Sequence, residues 1–450
     1  MVNFILKKKK QSFKINPFLT ADFETVVIKK KHYIVMYSIF FSKNNFIFYK
    51  KSNSNIVKFV NFKKPLTIKS IINLSNSFLI DLFLLCSNFK KLYIYMHNFS
   101  SFDSVVLLNF LKYSYLFLKN TSLKLKNNTF YEISIFDKIY LRDSFKLLNL
   151  SISDLLINFY PHISYNKKIN SLFFFSIFFF FNNIKLLKNY CLYDSLVLYY
   201  SLYKLDTSIF FYASARITDG LSTSSLSFSI FRKFYYISEN IAQSSAFSPF
   251  SLSDINNSFR GGIVQIFKYS GDHLFFYDLN SSYPFSMLSY MPVGLPVKKL
   301  ISTHSLEKFF GFLTVKVFVK KSSIPFLGVR DKSLLLNTYP TGSFTLSVFS
   351  EELLFSLQIG QTKVLKIYSS IKFNKGLLFN DFVNDFFYIK KNSNSSSGRI
   401  VAKSLLNNLY GRFAIKNSFK FNLILNKNQY NFISLIFNVS KIFKLFKKNL

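Results

Sequence analysis

Apolar and polar positions along this chain switch between two periods, and the switches mark out its elements. Leu19–Val27 alternates as a strand does. Leu92–Met96 is a short apolar run that leads through a polar turn into a helical pattern from Ser104. Lys188–Tyr203 has helical spacing. So does Arg399–Gly411: at about 100° per residue Arg399, Lys403, Asn407 and Tyr410 share one arc, opposite Val401, Leu405 and Leu409. Gly411 is read as the end of that helix. Leu274–Pro284 runs four bulky residues into Asp278 and a polar turn closed by Tyr283 and Pro284, the pattern of a buried strand. Ser214–Asn257 is rich in Ser and Thr and reads as a connector between domains. Leu172–Phe181 is low-complexity and apolar, a core or insertion segment with no chemical role.

Composition changes the picture in two ways. Lys and Arg number 58 against 21 Asp and Glu, a net charge of +37, so a polyanionic partner is expected. The basic residues are interleaved with Tyr and Phe, which favours nucleic acid over a membrane surface. Abundant Phe, Lys, Asn and Ile with no Trp is also how an A+T-rich gene translates, which points to an organellar genome. The apolar run Leu172–Phe181 is too short to cross a bilayer, which takes roughly 18–20 residues. Met1–Lys10 lacks the apolar core of a signal peptide. Two cysteines and five scattered histidines exclude a zinc cluster or a disulfide framework.

The chemistry lies in acids from separate places. Asp22 and Glu24, two apart on a strand, share a face. Adjacent carboxylates repel, and a divalent cation between them relieves the repulsion. Asp103 heads the helix after Leu92–Met96, a place where the helix dipole alone also favours an acid. Tyr190 and Asp194, four apart on a helix, lie on one face. Asp22, Glu24, Asp103 and Asp194 form the set expected of a two-metal phosphodiesterase, with Tyr190 placed to orient water. Asp278 surfaces from an apolar run, where an unpaired carboxylate is costly to bury. Gly261 and Gly262 allow close backbone approach to a ligand, and the adjoining Arg260 can meet a phosphate. Arg399 and Lys403, one turn apart beside Asn407 and Tyr410, suit a nucleoside triphosphate.

In this order the stretches resemble B-family DNA polymerases of the organellar and viral branch, the protein-primed type carried by mitochondrial linear plasmids. Asp22-x-Glu24, Asn98-x-x-x-Phe102-Asp103 and Tyr190-x-x-x-Asp194 resemble the three exonuclease motifs. Asp278-Leu279-Asn280-Ser281-Ser282-Tyr283-Pro284 resembles polymerase motif A, with Ser282 where Leu is usual. Lys403-x-x-x-Asn407-x-x-Tyr410-Gly411 resembles motif B, with Asn408 in place of Ser. The fold class implied is α/β with α+β: an RNase H-like 3′–5′ exonuclease domain over 1–205, a connector over 206–262 and an incomplete right-hand polymerase domain, partial palm and fingers, over 263–450.

The same resemblance implies roles. Two Mg2+ ions are expected at each active site, held by Asp22, Glu24, Asp103 and Asp194 in one, and by Asp278 and the Leu279 carbonyl in the other. Asn98 and Phe102 are expected at the frayed primer end, and Arg142–Leu156 at single-stranded primer ends through Ser151 and Ile152. Phe259, Arg260, Gly261 and Gly262 resemble a Tyr-x-Gly-Gly element that contacts template, Phe259 replacing the Tyr. Ser281 is expected at the triphosphate and Tyr283 under the sugar, excluding a 2′-hydroxyl. Lys403 is expected to bind the incoming triphosphate, with Arg399 and Lys391 assisting, and Tyr410 to face the nascent base pair. Residues 295–380, including Leu336–Phe344 and Glu351–Leu353, resemble an insertion that contacts a terminal protein. The partners expected are primer-template DNA, single-stranded 3′ ends, dNTPs and a terminal protein supplied separately, with no membrane; the compartment expected is the mitochondrion.

One departure matters most. From Phe386 to Leu450 the sequence has no Asp or Glu, so motif C, the second palm carboxylate, is missing. A truncated polymerase is therefore expected; a frame closed at a UGA that its organelle reads as Trp, a split gene and a decayed insertion all fit. The alternatives are a stand-alone 3′–5′ exonuclease and a vestigial, non-catalytic DNA-binding product.

Overall fold

The alternation in the first strand decides how the amino-terminal part is layered. In β1 (Phe18–Ile28), Leu19, Ala21 and Phe23 enter one core, while Thr20, Asp22, Glu24 and Val26 have the opposite parity. β2 (Lys31–Phe40) and β3 (Asn55–Phe59) extend the sheet antiparallel on one side. On the other side β4 (Leu92–Met96) lies parallel to β1, and β7 (Ile139–Asp143) parallel to β4. β6 (Thr129–Ile135) and β5 (Thr121–Lys126) complete a mixed seven-stranded sheet of order β3-β2-β1-β4-β7-β6-β5. Helix α1 (Ile68–Leu85), started by a capping box of Thr67 and Ser70, covers one face together with α2 (Asp103–Leu111). α3 (Ile152–Phe159) and the 30-residue α4 (Ile184–Ala213) follow; Leu187 and Cys191 of α4 pack on Val26, Val35 and Met36 of the opposite face.

This structure, a computed structural model, describes residues 17–28, 31–42, 55–60, 67–87, 89–111, 114–126, 129–161, 183–236, 249–262, 266, 269–298, 301–321, 326–330 and 337–413. Met1–Lys10, Leu172–Phe181 and all but the first part of the acid-free stretch lie outside the described residues. The chain divides into two compact units. The first holds the described residues up to Ser229 with Tyr388–Leu405; the second holds those of Ile230–Phe387 and Leu406–Asn417.

The second unit is built on an antiparallel sheet of order β12-β9-β13-β8. Its strands are β8 (Met291–Lys298), β9 (Gly311–Val319), β12 (Gly342–Phe349) and β13 (Thr362–Gly376), with a small separate pair β10 (Val329–Arg330) and β11 (Asn337–Thr338). Strict alternation in β9 sends Leu313, Val315, Val317 and Val319 into a core with Leu346, Val348 and Leu353.

Three expectations change. The described part of Ser214–Asn257 is largely helical, with α5 (Thr223–Phe234) and α6 (Pro249–Ser258); residues 237–248 lie outside the described residues. Leu226, Ile230 and Phe231 are buried at near-helical spacing, and the many hydroxyls hide that stripe in the sequence. The final helix does not stop at Gly411. After α8 (Asn380–Asn392), α9 spans Ser396–Phe413, and Gly411 takes no left-handed backbone; Phe413 meets the rings of Phe231 and Phe379, which holds the last turn. The third change is the largest. Leu274–Leu279 forms no strand, and its side chains are exposed, Phe276 by 94% and Tyr277 by 86%. A strand needs ladder partners and a covering layer, and no described strand pairs with this one.

Candidate active site

The even positions of β1 aim two carboxylates at α4. Thr20 Oγ1 donates to the Ser195 carbonyl at 2.6 Å, and Ser38 Oγ donates to the Cys191 carbonyl at 2.7 Å. Ser38 also meets Ser195 Oγ at 3.0 Å. These buried bonds pin the turn of α4 that carries Asp194 against β1 and β2. The ligand atoms of Asp22, Glu24 and Cys191 consequently lie within 4.8 Å of one another. Burial drives the Asp22 carboxyl well above its ordinary range, with Glu24, Asp194 and Asp103 pushing the same way through their charge. The structure therefore brings together Asp22, Glu24, Asp103 and Asp194 from β1, the head of α2 and the middle of α4. Tyr190 packs at the edge of the same α4–sheet core.

Asp103 is positioned by a turn that has its own anchor. Asp143, at the end of β7, accepts hydrogen bonds from the Ser100 amide (2.9 Å), the Ser100 hydroxyl and the Phe145 amide (2.9 Å). That fixes the loop from β4 to α2, where Asn98 adopts a left-handed conformation, φ 55°. Asn98 is exposed, and Phe102 is partly exposed with its ring edge-on to His32 at 4.7 Å. Asp103 itself is 8% exposed, and burial with the nearby Asp143 charge raises its carboxyl to about 8. Ser151 does something simpler: its hydroxyl caps α3 by accepting from the Asp154 amide, with Ile152 as the first helical residue. From beside the turn, the Ser144 hydroxyl meets His97 Nδ1 at 3.1 Å and donates to the Met96 carbonyl. Thr20, Ser38, Asp143 and Ser144 were missed in the sequence. Only the first carries a signal there, since Thr20 shares the strand parity of Asp22.

The described acids suit a hard divalent cation, since burying this much like charge is unfavourable without one. No described residue offers a cationic side chain within hydrogen-bond reach of Asp22 or Asp103.

In the second unit Asp278 and Leu279 lie on the exposed segment before α7 (Ser282–Ser286). Ser281 starts this helix in a left-handed conformation, φ 56°. Tyr283 stacks on Tyr410 with ring centroids 5.3 Å apart and planes 27° from parallel. A Cβ on Gly262 would come within 3.2 Å of the Tyr283 hydroxyl, so the missing side chain makes room for that ring. The Gly-Gly element and the two motif tyrosines thus meet. Arg260 is committed elsewhere: its guanidinium bonds both Glu352 oxygens and the Ser347 carbonyl, while the Arg260 carbonyl accepts from the Asn337 side-chain amide. Phe259 is half-buried, and Gly261 and Gly262 are exposed. Along α9, Arg399, Lys403 and Asn407 are exposed and Tyr410 half-buried, opposite the buried Val401, Leu405 and Leu409. Arg399 Nε donates to the Ser393 carbonyl at 2.9 Å, and Lys391 is exposed on the preceding helix.

Residues 182–445 match the family model for DNA polymerase type B, organellar and viral. The chain belongs to this family. Similar proteins include a "Probable DNA polymerase" of Neurospora intermedia, 31% identical over 253 residues, 51% of this chain and 25% of that protein. A "DNA polymerase" of Streptococcus phage Cp-1 is 27% identical over 162 residues, 31% of this chain and 27% of that one. The chain thus spans about a quarter of the length of these family relatives. Phi29 DNA polymerase complexed with primer-template DNA superposes with a TM-score of 0.62 at 15% identity, over 89% of this chain and 68% of that one. The type B polymerase fold, mixed α/β around a central sheet, is shared.

Proposed function

We propose that this chain carries the 3′–5′ proofreading exonuclease and part of the nucleotidyl-transfer centre of a DNA-directed DNA polymerase serving mitochondrial or linear-plasmid DNA. The observation that carries the reading is the convergence of Asp22, Glu24, Asp103 and Asp194 in one buried cluster. In this reading 1–205 is an RNase H-like exonuclease domain, 206–262 a connector and 263–450 a partial polymerase domain. The neighbouring fold supports the nucleic-acid partners, since phi29 DNA polymerase is described in complexes with primer-template DNA, incoming nucleotides and single-stranded DNA. A terminal protein meeting residues 295–380 completes the partner list.

The four carboxylates would hold two Mg2+ ions, which when bound supply an activated water and charge stabilisation at the leaving 3′ oxygen. The chain's own residues do the rest. Phe102 offers a ring edge for the frayed terminal base, Asn98 an amide at the turn, and Tyr190 a phenol to orient the water. Ser151 supports this from the cap of α3. By their motifs, Asp278 and the Leu279 carbonyl would hold metal and Ser281 would meet a triphosphate, and on α9 the cations Arg399 and Lys403 would bind triphosphate with Lys391 assisting. Tyr283, buttressed by Tyr410 and admitted by Gly262, would lie under the sugar, with Asn407 on the same helix face. Phe259, Gly261 and Gly262 would follow the template through backbone contacts, with Arg260 braced by Glu352 as their support.

A second reading is exonuclease alone. It is favoured by the contrast between four converging acids in one unit and a single exposed Asp278 in the other. Purified chain on labelled primer-template with Mg2+ and dNTPs separates them. Primer extension supports the polymerase reading and shortening without extension the exonuclease. Neither activity, with the double variant Asp22→Ala, Glu24→Ala indistinguishable from the parent, would sink both in favour of a non-catalytic DNA-binding product.

A further inference from the structure

Cys191 stands among the acids with no part in the chemistry above. It is fully buried on α4, one residue after Tyr190 and three before Asp194. The ordinary account is core packing with Val26, Val35, Met36 and Leu187. Packing does not account for the direction of the sulfur. Sγ lies within 4.8 Å of ligand oxygens of both Asp22 and Glu24, and its hydrogen faces the Asp22 carbonyl at 3.7 Å. Two donors on one zinc-sized ion stand about 3–4.5 Å apart, given bonds of about 2.0–2.3 Å, so these three atoms nearly span one coordination sphere. A separate feature also points to a cation. Asp103 is 8% exposed, has no hydrogen bond or ion pair among the described residues, and presses its charge on Asp22.

We propose that Cys191 ligates the cation held by Asp22 and Glu24, making a mixed oxygen–sulfur site that takes Zn2+ or Cd2+ in preference to Mg2+. The proposal rests on reading the pocket as a metal-holding nuclease site. Thiolate is a soft ligand suited to zinc and cadmium, whereas magnesium favours oxygen and retained water. On binding, a metal–sulfur bond forms as the S–H bond breaks, and the proton leaves to solvent; nothing is oxidised or reduced. The Ser38 bond to the Cys191 carbonyl keeps the sulfur's backbone in place for this.

The chain has only one other cysteine, Cys86, in the core on the other face of the sheet, so a sulfur signal can be assigned by single substitutions. Cd2+ is titrated into the purified chain while sulfur-to-cadmium charge-transfer absorbance and heat of binding are followed, with circular dichroism confirming each variant's fold. The parent should develop the band, and the band should reach its full height with one sulfur-bound ion per chain. Cys191→Ser should lose the band and bind Cd2+ about tenfold or more weakly, with Mg2+ affinity changed less than about twofold. Cys86→Ser should keep the band, and Glu24→Gln, which retains the thiol, should lose it. No band in the parent, or a band that survives Cys191→Ser, overturns the proposal. Mg2+-dependent digestion of single-stranded DNA by the same preparation tells the two failures apart. Digestion without a band removes the sulfur ligand alone, whereas neither digestion nor metal binding removes the nuclease reading with it.

Discussion

Asp22 and Asp103 show how burial and charge together make a single carboxylate demand a partner. If the four acids hold the catalytic cations, Asp22→Ala or Glu24→Ala should lower 3′–5′ digestion on the order of 10²–10³-fold, the equivalent of several kcal/mol of lost charge stabilisation. A gel assay on labelled single strands checks this, and circular dichroism should show the fold intact. The pH response has a definite sign. Asp103 has a folded value of about 8, far above the unfolded carboxyl, so the folded state binds the extra proton. Its stabilising contribution is complete below the unfolded value and is lost as pH rises through about 8. With chelator present, melting temperature should fall as pH climbs from about 4 to about 8, and Mg2+ should flatten that slope by replacing the proton. Equal slopes with and without Mg2+ would contradict the assignment. These acids were legible in the sequence by spacing, but their protonation was not, because it depends on burial and on charges that the fold brings together from separate parts of the chain.

Between elements, two seryl and threonyl hydroxyls set the site's precision. Thr20 and Ser38 clamp α4 to the sheet, each bond contributing about 1 kcal/mol net. Thr20→Val with Ser38→Ala should therefore destabilise the first unit by about 2 kcal/mol in denaturant melts. If Asn98 and Phe102 meet the DNA as proposed, the same pair should lower kcat for digestion more than it raises KM, because Asp194 shifts while that turn stays. On α9 the sequence pattern and the structure agree face for face, since a helical period needs no distant partner to be read. If Lys403 grips the triphosphate as proposed, Lys403→Ala should weaken dNTP binding about tenfold, as expected for a lost charge-assisted bond, measured by fluorescence titration with primer-template present. Gly411 misled because a glycine inside a helix and one after it look alike in sequence; the aromatic contacts of Phe413 decide which it is.

Across the whole chain, each unit depends on polar pairs as well as on an apolar core. In the first, Arg216 Nη1 bonds Asp206 at 2.7 Å with both side chains more than nine-tenths buried, and Asp206 also accepts from the Ile217 amide. Removing one partner strands a buried charge, so Arg216→Ala should cost about 3–5 kcal/mol in equilibrium unfolding. Asp206→Asn with Arg216→Met should recover most of it. Nothing in the sequence distinguishes this Arg and Asp from the chain's many solvated charges. The net charge of +37 favours a polyanionic partner without saying where it would lie.

Local order determined what could be read without coordinates: strand parity placed Asp22 with Glu24, helical period placed Tyr190 with Asp194 and Lys403 with Asn407, and motif order named the family. Those are short-range properties of the backbone, with periods that side chains reveal directly. Burial, pairing and the anchoring of turns are long-range, and they came only from the folded chain. Leu274–Leu279 has the pattern of a buried strand and no described strand to pair with, whereas Asp143 and Ser38, unremarkable in sequence, hold the acids in register because the sheet brings them there.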